Sequence, residues 1–197
     1  MTDVELLEAW RAGDAAAGET LTRRSFPLVF RFFDTKASSQ ALDLSQQTFL
    51  ALAEGRGPLT IRSSFRAYLL GIARHVLIAH LRRTYREGFE PERVSVLDAV
   101  EDPAKSPTAR LHEHEQRTQV VRALQRLPLD HQVALEMHYW NEMSIAEIAD
   151  VLDCTPGSIK ARLFRARKAL QAAVASLDEG RVPAMQALEE ELSSVAG

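Results

Sequence analysis

Met143-Ser144-Ile145-Ala146-Glu147-Ile148-Ala149-Asp150-Val151-Leu152-Asp153-Cys154-Thr155-Pro156-Gly157-Ser158-Ile159-Lys160-Ala161-Arg162-Leu163-Phe164-Arg165-Ala166-Arg167-Lys168-Ala169-Leu170 is the stretch whose reading decides the fold. Ser144 and Glu147 make a capping box, the hydroxyl serving the third helical N–H and the carboxylate returning to the cap N–H. Met143 and Ile148 are placed as a hydrophobic staple across it, so a short helix is predicted over Ile145 to Leu152. Asp153 and Cys154 supply a tight turn. Thr155 then serves as N-cap, with Pro156 at the first helical position, where a missing N–H is no loss. The second helix turns Ile159 and Leu163 inward and carries Lys160, Arg162, Arg165, Arg167 and Lys168 with no acid among them. The first helix is acidic through Glu142, Glu147 and Asp150, and the small Ala149 lets the two cross closely. Two short helices joined by a tight turn, the second one basic, predict a helix-turn-helix.

The chemistry of that motif is DNA contact. A major groove admits one helix, and a helix N-terminus favours a phosphate through its free N–H groups. Thr155, Ser158, Lys160, Ala161, Phe164 and Arg165 stand on the cap and the outward N-terminal face and are candidates for base and phosphate contact. Arg162, Arg167 and Lys168 are candidates for phosphates, which add affinity and salt dependence without sequence preference. A bidentate Arg or Lys contact to guanine contributes roughly 1–3 kcal/mol of discrimination. The plainer reading, a basic helix merely solvated on its outer face, does not account for the cap, turn and preceding helix together.

Upstream, helical periodicity runs from about Leu111 through Val120, Val121, Leu124 and Leu127, and Pro128 ends it. Between Glu87 and Pro107 the composition flips: Glu87, Glu90, Glu92, Asp98, Glu101 and Asp102 accompany Pro91, Pro103 and Pro107, as in an extended acidic linker. The chain therefore divides into a helical domain over residues 1–86, a linker over 87–112, a second helical domain over 113–177 and an acidic tail over 178–197.

The first domain also reads as helical throughout. Thr2 with Glu5 is a capping box, Gly13 a stop, and Asp14 opens the next helix. A block from about Thr20 to Lys36, rich in Leu21, Phe26, Val29, Phe30, Phe32 and Phe33, supplies core. Asp43 to Glu54 is a further helix, with Asp43, Gln46 and Gln47 on one face and Leu44, Thr48 and Ala51 turned away. Gly55, Gly57 and Pro58 break it, leaving a loop to about Ser64. From Phe65 to Arg86 the pattern is helical and one-signed. Arg62, Arg66, Arg74, Arg82, Arg83 and Arg86 are basic, and no acid occurs between Leu59 and Arg86. A basic helix that also carries aromatics is a candidate nucleic-acid surface.

Bulk properties narrow the field. With 24 Lys and Arg against 27 Asp and Glu the net charge is −3, so any nucleic-acid surface is a local patch. Cys154 is the only cysteine, which excludes an intrachain disulfide framework and a Cys-based zinc knuckle. No apolar run is of membrane-spanning length and the N-terminus lacks signal-peptide character, so the expectation is a cytoplasmic protein that engages no membrane. His112 and His114 point to different helix faces, so no metal site is expected. Neither a phosphate loop nor a nucleophile motif is recognisable; no cofactor and no catalytic residue are expected, and the chain does not read as an enzyme.

Leu127-Pro128-Leu129-Asp130-His131-Gln132, Ser144-Ile145-Ala146-Glu147-Ile148-Ala149 and Gly157-Ser158-Ile159-Lys160-Ala161-Arg162-Leu163-Phe164-Arg165-Ala166-Arg167 together resemble conserved region four of extracytoplasmic-function sigma factors of bacterial RNA polymerase. The N-terminal half resembles their region two, in Asp43-Leu44-Ser45-Gln46-Gln47-Thr48-Phe49 and in Phe65-Arg66-Ala67-Tyr68-Leu69-Leu70-Gly71-Ile72-Ala73-Arg74. The two matches stand in the family's order and cover most of the chain outside linker and tail. Position 75 is His where many relatives carry Asn, and Asp153 stands where a helix-turn-helix commonly has Gly.

The resemblance implies partners that spacing does not reveal: core polymerase, promoter DNA and, as a further class left open, an anti-sigma factor. It implies docking of Asp43, Gln46, Gln47 and Phe49 on the clamp helices of the polymerase largest subunit. It implies that the loop from Gly55 to Ser64 and the following helix, through Arg62, Phe65, Arg66, Arg74, His75, Arg82 and Arg83, recognise the start-proximal promoter element and trap an extruded base. Extruding a base costs a few kcal/mol and needs a pocket and positive charge in compensation. Phe65 and Tyr68 stand as stacking candidates, with core packing as the commoner use of such spacing. The helix-turn-helix would read the upstream element, and the acidic linker would thread a positively charged polymerase channel. Two rivals stand beside this: a stand-alone helix-turn-helix regulator, which predicts tight operator binding without polymerase, and a helical protein that sequesters a partner.

Overall fold

The computed structural model describes residues 1–55, 64–86 and 118–177. They are helical, with no strand among them, and the chain falls into two compact units, Met1–Ser95 and Val96–Gly197. The expected linker over 87–112, the tail over 178–197, Arg62 and most of the predicted loop lie outside the described residues.

The described residues of the first unit form four α-helices, α1 (Asp3–Arg11), α2 (Ala15–Ala37), α3 (Ala41–Glu54) and α4 (Phe65–Arg86), with a 3-10 turn at Ser38–Gln40 before α3. Thr2 caps α1 in a full capping box, its N–H donating to Glu5 Oε2 at 2.7 Å and its hydroxyl accepting from the Glu5 N–H at 3.3 Å. Gly13 has φ 104°, the left-handed conformation that stops α1, and Asp14 Oδ1 accepts from the N–H groups of Ala16 and Ala17 to start α2.

α2 begins at Ala15, directly after the Asp14 cap as expected, ahead of the apolar block from Thr20, and runs through Pro27. An interior proline costs a helix about 3 kcal/mol, and each fully buried large side chain contributes on the order of 2 kcal/mol. Leu21, Val29, Phe32 and Phe33, all buried, outweigh it. Gly18 lets Trp10 of α1 lie on α2, since a Cβ there would stand 2.5 Å from the indole. Leu6 and Leu7 of α1, Leu44 and Leu52 of α3, and Leu69, Leu70, Ala73 and Leu77 of α4 complete the core. Buried Ser45 and Thr48 return their hydroxyls to the carbonyls four residues back, so neither leaves a polar atom unsatisfied. Ala51, expected to turn inward, is exposed.

The second unit holds α5 (118–125), α6 (Leu129–Leu135), α7 (Ile145–Leu152) and α8 (Pro156–Leu177). α6 widens into a π turn over Glu136–Trp140, closed by the Asn141 N–H donating to the Glu136 carbonyl. Periodicity alone did not resolve this element. Inside it the buried Gln132 donates to the buried Glu136 carboxylate at 2.9 Å. Val133, Ala134, Met137, Met143, Ile148, Val151, Ile159, Leu163, Ala166 and Leu170 make the core, into which α8 packs against both α6 and α7.

Candidate nucleic-acid interface

The helix-turn-helix has the predicted local chemistry. Ser144 and Glu147 form the reciprocal box, at 2.9 Å from the Ser144 N–H to Glu147 Oε2 and 3.3 Å from the Glu147 N–H to Ser144 Oγ. Both staple residues, Met143 and Ile148, are buried. Asp153 adopts the left-handed conformation, φ 49° and ψ 54°, and the next N–H, of Cys154, donates to the Ala149 carbonyl at 3.0 Å. Thr155 Oγ1 accepts from the Ser158 N–H at 3.2 Å and starts α8. Each feature is a contact between residues a few positions apart, which is why sequence reaches it.

α8 holds Ile159, Leu163, Ala166 and Leu170 in the core and leaves Ser158, Lys160, Ala161, Phe164, Arg165, Arg167 and Lys168 exposed. No acid lies on α8. Phe164 is 55% exposed, and the Lys168 ammonium sits 4.8 Å from its ring centroid, so an apolar face and a cation share one patch. Two of the phosphate candidates are engaged within the unit. Arg162, largely covered, pairs with Asp130 of α6 at 3.2 Å, and Arg167 donates to the Tyr139 hydroxyl at 3.1 Å from the π turn. Asp130 and Tyr139, which orient α8, were not singled out in sequence because their partners are 32 and 28 residues away. His131, beside this patch, is held below the ordinary imidazole value of 6.5, first by burial and then by the Arg162 and Arg165 guanidinium groups, with the Asp130 carboxylate opposing.

In the first unit α4 exposes Arg66, His75, Arg82, Arg83 and Arg86, with Arg74 half-buried. His75 Nδ1 lies 2.8 Å from the Gly71 carbonyl, which orients the ring along the helix. Phe65 is 9% exposed and belongs to the core, so its ring offers no open face. Tyr68 is half-buried with its hydroxyl on Arg11. The exposed aromatic of α4 is instead Tyr85, 64% exposed between Arg83 and Arg86. Its signal in the sequence was an aromatic flanked by arginines.

α3 presents Asp43, Gln46 and Gln47 outward, with Gln47 Nε2 donating to Asp43 Oδ2 at 2.6 Å. Phe49 is buried and near-parallel to the half-buried Phe26, with ring centroids 6.4 Å apart, so it supports α3 from beneath. Leu42 and Leu50 lie on the outward face, 55% and 58% exposed, and make it part apolar. Their spacing at four-residue steps with Gln46 was the available signal.

An exposed, acid-free recognition helix in a capped helix-turn-helix, joined in one chain to an arginine-rich helical unit, defines a DNA-reading transcription protein. The family model for sigma-70 region 2 matches residues 21–87, and that for sigma-70 region 4 matches residues 117–170. The ECF RNA polymerase sigma factor SigM of Mycobacterium tuberculosis is 30% identical over 183 residues, covering 91% of this chain and 88% of its own. The RNA polymerase sigma-H factor of Pseudomonas aeruginosa is 27% identical over 186 residues, covering 89% and 95%. Among solved structures, the sigma factor RpoE in complex with the anti-sigma factor NepR from Bartonella quintana shares the fold with a TM-score of 0.65 at 22% identity, covering 83% of this chain and 98% of that one. The chain belongs to the ECF sigma factors of the sigma-70 family.

Proposed function

We propose that this sigma factor reads the upstream promoter element with the outer face of α8, through Ser158, Lys160, Ala161, Phe164 and Arg165, with Thr155 at the cap and Arg167 and Lys168 toward the phosphates. The observation that carries the reading is that this face is exposed and free of acid while the opposite face of α8 is core. Arg162, paired with Asp130, acts by holding α8 in place. The domain over residues 1–86 binds core polymerase through Asp43, Gln46 and Gln47, with Leu42 and Leu50 adding apolar contact and Phe49 supporting them from below. Arg66, Arg74, His75, Arg82 and Arg83, with Tyr85, line the path of the opened strand, and Arg62 of the preceding segment belongs with them. Residues 113–177 are the upstream-reading domain, 87–112 the linker and 178–197 a tail.

The protein acts in the cytoplasm as an initiation factor, without catalysis of its own, and an anti-sigma factor of the kind bound to the RpoE relative is a further partner. No described helix is long and apolar enough to cross a membrane. Run-off transcription with bacterial core polymerase over genomic fragments tests the reading. Discrete transcripts that require the protein are expected, and Arg165→Ala is expected to remove about 1–3 kcal/mol of promoter discrimination. Absence of any protein-dependent transcript contradicts it.

A further inference from the structure

Arg11, the last residue of α1, reaches two other helices. Its Nε and Nη2 donate to the Leu52 carbonyl at 3.2 and 2.9 Å, and Nη2 also donates to the Tyr68 hydroxyl at 3.3 Å. The Leu52 carbonyl belongs to the last turn of α3, where carbonyls have no partner within the helix, and Tyr68 stands in the first turn of α4. A Cβ on Gly55, the residue that ends α3, would collide with the same Nη2. One guanidinium therefore caps the helix that carries Asp43, Gln46 and Gln47 and holds the turn that carries Arg66. A planar fork of donors can serve a carbonyl and a hydroxyl at once, whereas a lysine ammonium at the end of a flexible stem is poorly shaped for it.

Resting on the role given above to the first domain, we propose that Arg11 is a positioning residue for strand capture. It sets where the basic start of α4 stands relative to the polymerase-facing helix, and touches no DNA itself. Rigid placement matters because a binding group displaced by an ångström loses much of its effect.

The test uses holoenzyme carrying Arg11→Met or Tyr68→Phe, on a promoter found by run-off transcription. Three affinities are compared: for core polymerase, for upstream-element duplex, and for a labelled single-stranded oligonucleotide of the start-proximal non-template strand. Thermal unfolding of each variant is measured alongside. Arg11→Met is expected to weaken single-strand binding about tenfold, the order of one lost charge-assisted hydrogen bond, and Tyr68→Phe about threefold, with the other two affinities unchanged. The double variant should be no weaker than Arg11→Met alone, because both remove the same link. Unchanged single-strand binding in both variants overturns the proposal, as does an equal loss on all three partners that tracks the melting temperature. If Arg11→Met does not fold, Tyr68→Phe decides, since it removes one hydroxyl from a half-buried site. Should the wild-type holoenzyme direct transcripts yet fail to bind the single strand, the strand-capture role itself falls, a result distinct from a variant-specific null.

Discussion

Asp153 holds a left-handed backbone conformation that glycine adopts freely and an L-residue adopts at a cost, which Asp partly escapes through its short polar side chain. Asp153→Gly is therefore expected to stabilise the protein by about 0.5 kcal/mol, seen as a higher denaturation midpoint at unchanged slope. The turn was legible from Asp153 and Cys154 between two capped helices, because its determinants are local. His131 is the opposite case: its neighbours Arg162 and Arg165 are distant in sequence, and only the fold brings them together. The unfolded imidazole takes up its proton near 6.5, and the folded one only at lower pH. Below 6.5 the unfolded state thus binds more protons, and stability falls as pH drops; above 6.5 the contribution is fully present. Denaturation at pH 7.5 and 5.5 should show a larger loss for wild type than for His131→Gln, and equal losses would exclude His131 as a source.

At the level of the element, the capping boxes of α1 and α7 and the Thr155 cap of α8 were readable from spacing, and so was the inward face of α8. Ser144→Ala removes an N-cap and its half of a reciprocal box, and is expected to cost about 1 kcal/mol, measurable by chemical denaturation. A cost well above that would mean α7 is held by the cap more than by the burial of Ile148, Val151 and Leu152. The π turn at Glu136–Trp140 was not legible, since it depends on a buried Gln132–Glu136 pair and on the packing of α8. Ala51 was misplaced for a related reason: a small apolar residue satisfies either face of α3, and burial of Leu44, Thr48 and Leu52 decided which one faces in. Phe65 and Phe49 show the same limit, because an aromatic beside polar positions is assigned to core or surface only by its neighbours.

For the whole molecule, a net charge of −3, with α4 and α8 free of acidic residues, confines a DNA-binding surface to local patches on those helices. The division into two helical units was legible from the acidic, proline-bearing composition between them. The proposed promoter reading requires the outer face of α8 to lie in the groove of the upstream element. Photocrosslinking tests that most directly, with a short crosslinker on Ala161→Cys in a Cys154→Ser background, in holoenzyme on a run-off-selected promoter. Crosslinks confined to the upstream-element major groove are predicted, and crosslinks to polymerase or to the protein's own chain, with none to DNA, would contradict it.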